Sequence, residues 1–450
     1  MVAAPDTIAA IATAPGVGAI GVVRVSGPDL QALLAGILGA SPEPRRASVL
    51  SFLDDRGEAI DEGIALYFPG PASYTGEDVL ELQGHGGPAV LGLVLGRCVE
   101  LGARLAEPGE FTRRAFLNGK MDLAQAESVA DLIAASTARA ARAATRSLRG
   151  AFSAEIHAMV AELIELRALT EASLDFPDED IGFVRAADAA GRVRAIRQRL
   201  ERVLGQSIQG PRLRDGLSIV LVGPPNVGKS SLLNQLASDD VAIVTPLPGT
   251  TRDPVRASLE LNGIPLHVID TAGVRDTADP VERIGIERTW RAVREADLAL
   301  VLREAVLEPS GGDAWEAGLP SELPSIVVEN KIDLLGLPAE VRMVDGRARV
   351  RMSALTGEGV ELLRCAMLDA VGLAPASETL FLARERHLRA LDAARRHVDD
   401  AQAALQAPAP PLELFAESLR LAQGELSSIT GEFSSDDLLG EIFARFCIGK

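Results

Sequence analysis

Cysteine, aromatic residues and long apolar runs are all scarce in this 450-residue chain. Its three cysteines, Cys98, Cys365 and Cys447, are odd in number and far apart, so they form neither a disulfide framework nor a metal-binding pattern. This usage favours a reducing compartment. No apolar stretch approaches the ~20 residues that span a bilayer, and no basic segment followed by an apolar one opens the chain as in a signal peptide. The sequence predicts a soluble, cytoplasmic protein without a membrane partner.

Positive charge is also short, with 45 Lys and Arg against 63 Asp and Glu and a formal net charge of −18. That balance excludes a generic nucleic-acid coat, because neutralising a phosphate backbone needs cations. A local basic patch remains compatible with it. Arg139, Arg142, Arg146 and Arg149 recur every three or four residues and would form a stripe on one helix face. The stripe is either a solvated face or a phosphate-contacting strip for RNA.

What is present is aliphatic: 47% of the residues are hydrophobic but 4% aromatic, so Ala, Leu and Val must build the core. The length suits two to four domains. Residues 1–118 alternate short strands and turns and are predicted to be an α+β domain. Residues 119–213 and 375–450 have helical spacing, which runs without an interior Pro or Gly through 121–150. Residues 214–374 have an α/β pattern, which predicts an α/β domain inserted into one helical-bundle domain.

A phosphate-binding loop begins the inserted segment. The apolar run LSIVLVG (217–223) predicts a strand, GPPNVGKS (223–230) matches G-x-x-x-x-G-K-S, and SLLNQLA after it predicts a helix. Backbone N–H groups at a helix start attract phosphate. Lys229 would reach the β- and γ-phosphates, and the Ser230 hydroxyl would bind magnesium. Alone, the loop could be a glycine turn, but the motifs that follow it make that interpretation untenable.

Three further motifs follow in the order expected of a GTP site. GTT (249–251) offers hydroxyls to the metal. Strand LHVID (266–270) ends at the magnesium-side DTAG motif, and strand SIVVEN (325–330) ends in NKID. The Asp333 carboxylate can accept hydrogen bonds from the ring N–H and amine of guanine, which adenine does not offer. The candidate nucleotide-binding residues are Asn226, Val227, Gly228, Lys229, Ser230, Ser231, Thr250, Thr251, Asp270, Thr271, Ala272, Gly273, Asn330, Lys331, Asp333, Ser353 and Ala354.

Two positions depart from the simplest Ras-like pattern. Val274 stands where Ras-like proteins have a water-orienting glutamine. Valine cannot hydrogen-bond water, so either hydrolysis is slow or another residue positions the water. Asn226 could hold a monovalent cation near the β/γ-phosphates, or it could simply cap the loop.

Six segments together resemble one family, the MnmE (TrmE) tRNA-modification GTPases, over essentially the whole chain. They are YTGEDVLELQGHGG (74–87), PGEFTRRAFLNGKMDLAQAE (108–127), GPPNVGKSSLLN (223–234), AIVTPLPGTTRD (242–253), DTAG with VERIGIER (270–288), and ITGEFSSDDLLGEIFARFCIGK (429–450).

The resemblance implies an N-terminal domain that binds tetrahydrofolate and dimerises, a helical domain and an inserted G domain. It implies a partner that uses FAD and NADH, MnmG (also called GidA), in a heterotetramer or larger complex. Together they would add a (carboxymethyl)aminomethyl group to C5 of the wobble uridine of certain tRNAs, with the carbon taken from 5,10-methylene- or 5-formyl-tetrahydrofolate.

The resemblance also implies site residues. The folate site would contain Arg24, Glu81, Lys120 and Lys450, whose charges suit a pterin and a glutamate tail. Cys447 lies close to Lys450 in sequence and is a further candidate, either reactive or structural.

In the G domain, the resemblance implies a potassium ion held by Asn226, Thr245, Leu247 and Thr250, with Thr245 also in the nucleotide site. Magnesium would be held by Ser230 and Thr251. Glu282 would orient the attacking water, and Lys229 would be the second catalytic residue.

A second hypothesis belongs to another class of protein. A G domain with helical arms could be a GTP-dependent assembly switch without folate chemistry. Affinity for a formyl-tetrahydrofolate separates the two hypotheses.

Overall fold

The computed structural model describes residues 6–175, 188–238, 257–270, 293–306, 318–372, 381–407, 410–432, 436–444 and 446–449. They form two compact units. The first contains residues 1–133, 145–203 and 389–450, and the second contains residues 134–144 and 204–388. Both mix helices and sheet, which confirms a multidomain α+β and α/β fold. None of the helices in the described ranges is long and apolar enough to cross a membrane.

The elements up to residue 207 are, in chain order, β1 (Ile8–Ile11), β2 (Ile20–Gly27), α1 (Gln31–Leu38), β3 (Ser48–Leu53), β4 (Ala59–Phe68), β5 (Asp78–His85), α2 (Pro88–Glu100), β6 (Arg104–Leu105), α3 (Glu110–Leu117), α4 (Leu123–Ala134), α5 (Ala138–Leu148), α6 (Ala151–Asp175) and α7 (Ala189–Ser207).

The elements after residue 207 are α8 (Gly210–Asp215), β7 (Leu217–Val222), α9 (Lys229–Ser238), β8 (Ala257–Leu261), β9 (Ile264–Asp270), β10 (Leu298–Glu304), β11 (Ser325–Asn330), a 3₁₀ turn (Ile332–Leu334), β12 (Glu340–Val344), β13 (Arg347–Arg351), α10 (Val360–Ala370), α11 (Glu385–Leu405), α12 (Leu412–Thr430) and α13 (Asp436–Ala444).

The first unit contains a six-stranded sheet in the order β3-β4-β5-β2-β1-β6. Its strands are antiparallel except for the β1–β6 pair. One face packs on α1 and α2 around a core that includes Val23, Val25, Leu80 and Leu82. Because side chains alternate between the faces of a strand, the residue between Val23 and Val25 and the residue between Leu80 and Leu82 point to the other face.

Helices from both ends of the chain pack together in the first unit. Helix α6 lies against α12, and Arg167 donates to the side-chain oxygen of Gln423 at 2.6 Å. Helices α4 and α13 share a core around Leu123, Leu439 and Phe443. The two helical segments therefore bury each other's apolar faces, as expected for flanks of an inserted segment.

The second unit contains a seven-stranded sheet in the order β12-β13-β11-β10-β7-β9-β8. The five inner strands from β13 to β9 are parallel, and β12 and β8 are antiparallel edges. Strand β11 has its predicted bounds, and β7 is one residue shorter than predicted. Inner strands of a parallel sheet are covered on both faces, which explains why β7 and β10 are almost continuously apolar.

The helical pattern over 121–150 is interrupted in the structure. Helix α4 ends at Ala134 and α5 begins at Ala138, although Pro and Gly are absent between them. The Thr137 hydroxyl accepts the N–H of Ala140 at 3.1 Å, which caps the start of α5. The periodicity predicted helix type correctly but not this break.

Candidate functional site

The phosphate-binding loop connects β7 to α9 in the second unit. Gly228 has φ of +101°, and a Cβ there would lie 2.2 Å from the side-chain nitrogen of Asn330. Glycine is therefore required by both conformation and close approach. Helix α9 starts directly after it, so its first N–H groups and the positive end of its dipole face the loop. This is the arrangement that binds phosphate.

Asn330 joins the loop to the predicted base-binding motifs. It is 3% exposed, its Nδ2 donates to the carbonyl of Val227 at 2.8 Å, and its Oδ1 accepts the N–H of Ala354 at 2.8 Å. Ser353 Oγ donates to Asp333 Oδ1 at 2.6 Å. Three motifs that together span more than a hundred residues of sequence thus meet at one edge of the sheet. The hydroxyl of Ser353 also orients the carboxylate expected to select guanine.

Two lysines lie at this edge. Lys229 Nζ donates to the carbonyls of Gly223 and Pro224 at 2.7 and 2.9 Å, so its ammonium lies across the loop. Lys331 has φ of +68° and pairs with Glu304. Ser230 and Ser231 are exposed in the first turn of α9. These cations and hydroxyls fit a magnesium-bound triphosphate, in which the metal would neutralise phosphate charge.

The remaining nucleotide-site predictions fall on other segments. Asp270 ends β9 and is the register partner of Leu221 in β7, close to where the loop begins. The residues outside the described ranges are Thr245, Leu247, Thr250, Thr251, Thr271, Ala272, Gly273, Val274, Glu282 and Lys450.

A second candidate site lies on the sheet of the first unit. Arg24 lies between Val23 and Val25 and Glu81 between Leu80 and Leu82, so both point away from the helices. They are register partners. Arg24 Nη2 and Nε donate to Glu81 Oε1 at 2.8 and 3.0 Å, and both side chains are largely buried.

Aromatic rings and the end of the chain surround this ion pair. The Arg24 guanidinium carbon lies 5.5 Å from the ring centre of Tyr74 and 5.8 Å from that of Phe111. Arg24 Nη1 also donates to the carbonyl of Gly449 at 3.3 Å. Sequence reasoning named none of these three neighbours. All three lie within the quoted motifs, but which of their groups face the ion pair could be assigned only in the fold.

A cavity of about 420 Å³ opens beside the pair, within the size range of small-molecule sites. Its lining combines apolar, aromatic and charged groups: Arg24, Phe68, Ala72, Ser73, Tyr74, Val79, Glu81, Val129 and Leu148. A carboxylate and a guanidinium beside an aromatic wall suit a planar heterocycle that carries hydrogen-bond donors and acceptors.

Lys120 and Cys447 are the other candidates for this site in the part of the chain that the structure describes. Lys120 is exposed, and its Nζ donates to the carbonyl of Pro71, the residue before Ala72 of the lining. Cys447 is exposed, and its carbonyl accepts the N–H of Gly109 at 3.3 Å.

The arginine stripe is divided by the fold. Arg142 and Arg149 are exposed and Arg146 is half-buried. Arg139 instead donates to the carbonyl of Asn262 at 3.0 Å, and burial lowers the pKa of its guanidinium. One of the four residues therefore faces protein, and the other three stay compatible with either earlier interpretation.

The fold and the first site define a P-loop GTP-binding protein. Two family models cover most of the chain: the GTP-binding protein TrmE N-terminus matches residues 7–120, and the MnmE helical domain matches residues 123–447. The chain belongs to the MnmE (TrmE) family of tRNA modification GTPases.

Relatives match along nearly their full length. The tRNA modification GTPase MnmE of Nitrosomonas europaea is 59% identical over 450 residues, which are 99% of each chain. That of an Azoarcus species is 60% identical over 450 residues, 99% of this chain and 98% of the relative. Among solved structures, the FeoB G domain of Methanococcus jannaschii is 26% identical and covers 35% of this chain and 98% of its own, with a TM-score of 0.25.

Proposed function

We propose that this protein hydrolyses GTP at the β7–α9 loop and uses that cleavage in the modification of C5 of the wobble uridine of certain tRNAs. The observation that carries the nucleotide part is the position of Asn330. It begins the NKID motif, and its side chain bonds both Val227 of the phosphate loop and Ala354 of the second base-side loop. Membership of the family, whose relatives are named tRNA modification GTPases, supports the tRNA part.

Cationic, hydroxyl and carboxylate side chains at the site bind different parts of the nucleotide and its metal in this proposal. Lys229 holds the β- and γ-phosphates, and Ser230 and Thr251 hold magnesium, which neutralises charge that develops on phosphate during cleavage. Asp333, oriented by Ser353, accepts hydrogen bonds from the two donors on the edge of guanine. Adenine would leave that carboxylate unpaired, which discriminates by roughly 10⁴–10⁵-fold.

In this proposal, Glu282 and a potassium ion stand in for the glutamine and the arginine of other GTPases. Glu282 orients the attacking water in place of Val274. Asn226, with Thr245, Leu247 and Thr250, holds potassium where other GTPases use an arginine, a charge worth roughly 10³–10⁵-fold in rate. Asn226 is exposed and has φ of +62°, so its side chain is accessible beside the loop.

The first unit supplies the carbon in this proposal. Arg24 and Glu81 bind a 5,10-methylene- or 5-formyl-tetrahydrofolate in the 420 Å³ cavity, with Lys120 and Lys450 toward its glutamate tail. The pair is already aligned in the protein and its aromatic wall suits the pterin ring. The protein acts in the cytoplasm as a homodimer with the FAD- and NADH-dependent MnmG partner, and tRNA is the substrate of their complex.

One set of assays on the purified protein tests these assignments. We expect GTP turnover in potassium, slower turnover in sodium, little with ATP, and calorimetric heat on titration with 5-formyl-tetrahydrofolate. GTP turnover without folate affinity would instead favour a GTP-dependent assembly switch. Equal turnover of ATP and GTP would contradict the nucleotide assignment itself.

A further inference from the structure

The residues at the break between α4 and α5 bond to the seven-stranded sheet of the second unit. Residues 134–144 belong to the second compact unit, whereas α5 continues into the first from residue 145. Thr137, at the break, is 6% exposed. Its hydroxyl accepts the N–H of Ala140 and donates to the carbonyl of Gly263 at 2.7 Å. One side chain therefore caps α5 and holds the turn between β8 and β9.

Arg139 holds the same turn from the first turn of α5. Its Nη1 donates to the carbonyl of Asn262 at 3.0 Å. Its stem lies against Gly263, where an added Cβ would be 2.6 Å from the Arg139 Cβ and 2.7 Å from its Cδ. Any side chain at position 263 would push the arginine off the turn.

The turn has the geometry of a rigid two-residue hairpin. Asn262 and Gly263 have φ of +50° and +83°, and Leu261 and Ile264 are register partners on either side. Positive φ at both turn residues, in the order Asn-Gly, matches the tight turns whose twist fits paired strands. The turn therefore joins the two paired strands directly, with only two residues between them.

In the chain, the two strands adjoin two of the predicted nucleotide-binding segments. Thr250 and Thr251 precede β8 in the chain, and β9 ends at Asp270 of the DTAG motif. Seven residues of β9 span about 20 Å. Thr137 and Arg139 thus bond the turn at one end of β9, and Asp270 lies at the other end.

We propose that Thr137 and Arg139 are positioning residues that tie the β8–β9 hairpin to α5, so that the nucleotide state and the conformation of α5 change together. This rests on the proposed GTPase function. Since coupling between two sites is reciprocal, cutting the tie alters both the response of α5 to nucleotide and the placement of Asp270.

The test compares Thr137→Val, which keeps the volume but removes the hydroxyl, with Thr137→Ser, which keeps the hydroxyl. Arg139→Ala removes the second bond, and Arg202→Ala, at an exposed arginine of α7, is the matched control. Amide hydrogen exchange of residues 138–148 is measured with GDP and with a non-hydrolysable GTP analogue, alongside kcat, KM and nucleotide Kd.

We expect the two nucleotides to give different exchange in α5 of the wild type, Thr137→Ser and Arg202→Ala. In Thr137→Val and Arg139→Ala the difference should vanish, and kcat should fall about fivefold, as for loss of one hydrogen bond, with Kd within about twofold. A cap with a purely structural role would raise exchange equally in both states.

The wild-type difference surviving in Thr137→Val and Arg139→Ala would overturn the proposal, as would its absence from the wild type. A wild type that binds GTP without hydrolysing it, yet shows the difference in α5, would defeat the proposed function and leave the tie intact.

Discussion

At the scale of single residues, the proposed selection of guanine depends on one carboxylate and one hydroxyl. Asp333 lies in a 3₁₀ turn directly after β11, and Ser353 fixes one of its oxygens. The motif predicted the role of Asp333 from sequence alone. The orientation by Ser353 could not be predicted, because Ser-Ala pairs are common and twenty residues separate the two partners.

Asp333→Asn should reverse the preference for the base. The amide offers a donor where guanine needs an acceptor, so GTP affinity should fall roughly 10²–10⁴-fold with loss of two charged hydrogen bonds. Xanthosine triphosphate, which has a carbonyl in place of the amine, should then bind more tightly than GTP. Ser353→Ala keeps the charge and should cost only several-fold. Fluorescence titration with both nucleotides measures this, and unchanged GTP affinity in Asp333→Asn would contradict the role.

A second residue-scale feature is the ion-pair network beside β6. Glu110 accepts hydrogen bonds from Arg104 and Arg114 at 2.6 and 3.0 Å, and both arginines also bind Asp6. Burial alone would raise the pKa of Glu110, but the two guanidinium groups and the N–H of Glu107 outweigh it and hold that pKa below its usual value.

Glu110→Gln should therefore change stability in a pH-dependent way. A lowered carboxyl pKa stabilises the fold above the unfolded value of about 4.3, and this contribution is lost as pH falls through the folded value. Near pH 7 the variant should unfold with a free energy about 1–3 kcal/mol smaller; toward pH 3 the difference should close.

Glu43→Gln is the matched control, since its pair with Arg46 is mostly exposed. Urea unfolding at several pH values measures both variants. A Glu110→Gln difference that stays constant from pH 7 to pH 3 would show that charge is not the cause.

At the scale of elements, the sequence patterns predicted β7, β9 and β11 of the second unit well, because each is a short apolar run that ends in a motif. The break at Thr137 escaped them, since it is stabilised by Gly263, more than a hundred residues away. Similarly, the spacing placed Arg139 in a basic stripe, either solvated or in contact with RNA phosphate, but in the fold it donates to the carbonyl of Asn262. Local patterns report periodicity, whereas long-range contacts decide where a helix is interrupted.

The C-terminal tail is an element whose placement only the fold reveals. Gly449 has φ of +94°, and a Cβ there would lie 2.5 Å from the carbonyl oxygen of Ile11 in β1. The tail therefore lies close against the sheet, and the Gly449 carbonyl accepts a bond from Arg24 of the candidate folate site.

Gly449→Ala should displace the tail and weaken 5-formyl-tetrahydrofolate binding by about tenfold, close to the loss of one charged hydrogen bond of about 1.5–3 kcal/mol. Gly440→Ala is the control, because nothing lies within 4 Å of its added Cβ in α13. Calorimetric titration compares them. Equal affinities in the two variants would separate the tail from the folate site.

At the scale of the whole molecule, the sequence predicted the order of the parts: an α+β segment, helices, a GTP-binding segment and helices again. The packing of α6 on α12 and of α4 on α13 joins the helical segments that precede and follow the inserted segment in the chain. The predicted boundaries at residues 118, 213 and 374 remain predictions. The structure adds that residues 134–144 belong to the same compact unit as the GTP-binding segment. No change of composition along the chain predicts this grouping.

The central claim, that GTP cleavage by this chain is needed for wobble-uridine modification, is tested most directly by mass analysis of tRNA nucleosides. The chromosomal copy is deleted and complemented with the wild type or with Lys229→Ala, which removes the ammonium proposed to bind phosphate. We predict that C5-modified uridine is lost on deletion, returns with the wild type, and stays absent with Lys229→Ala. Normal modification in the deletion strain, or full recovery with Lys229→Ala, would contradict the account.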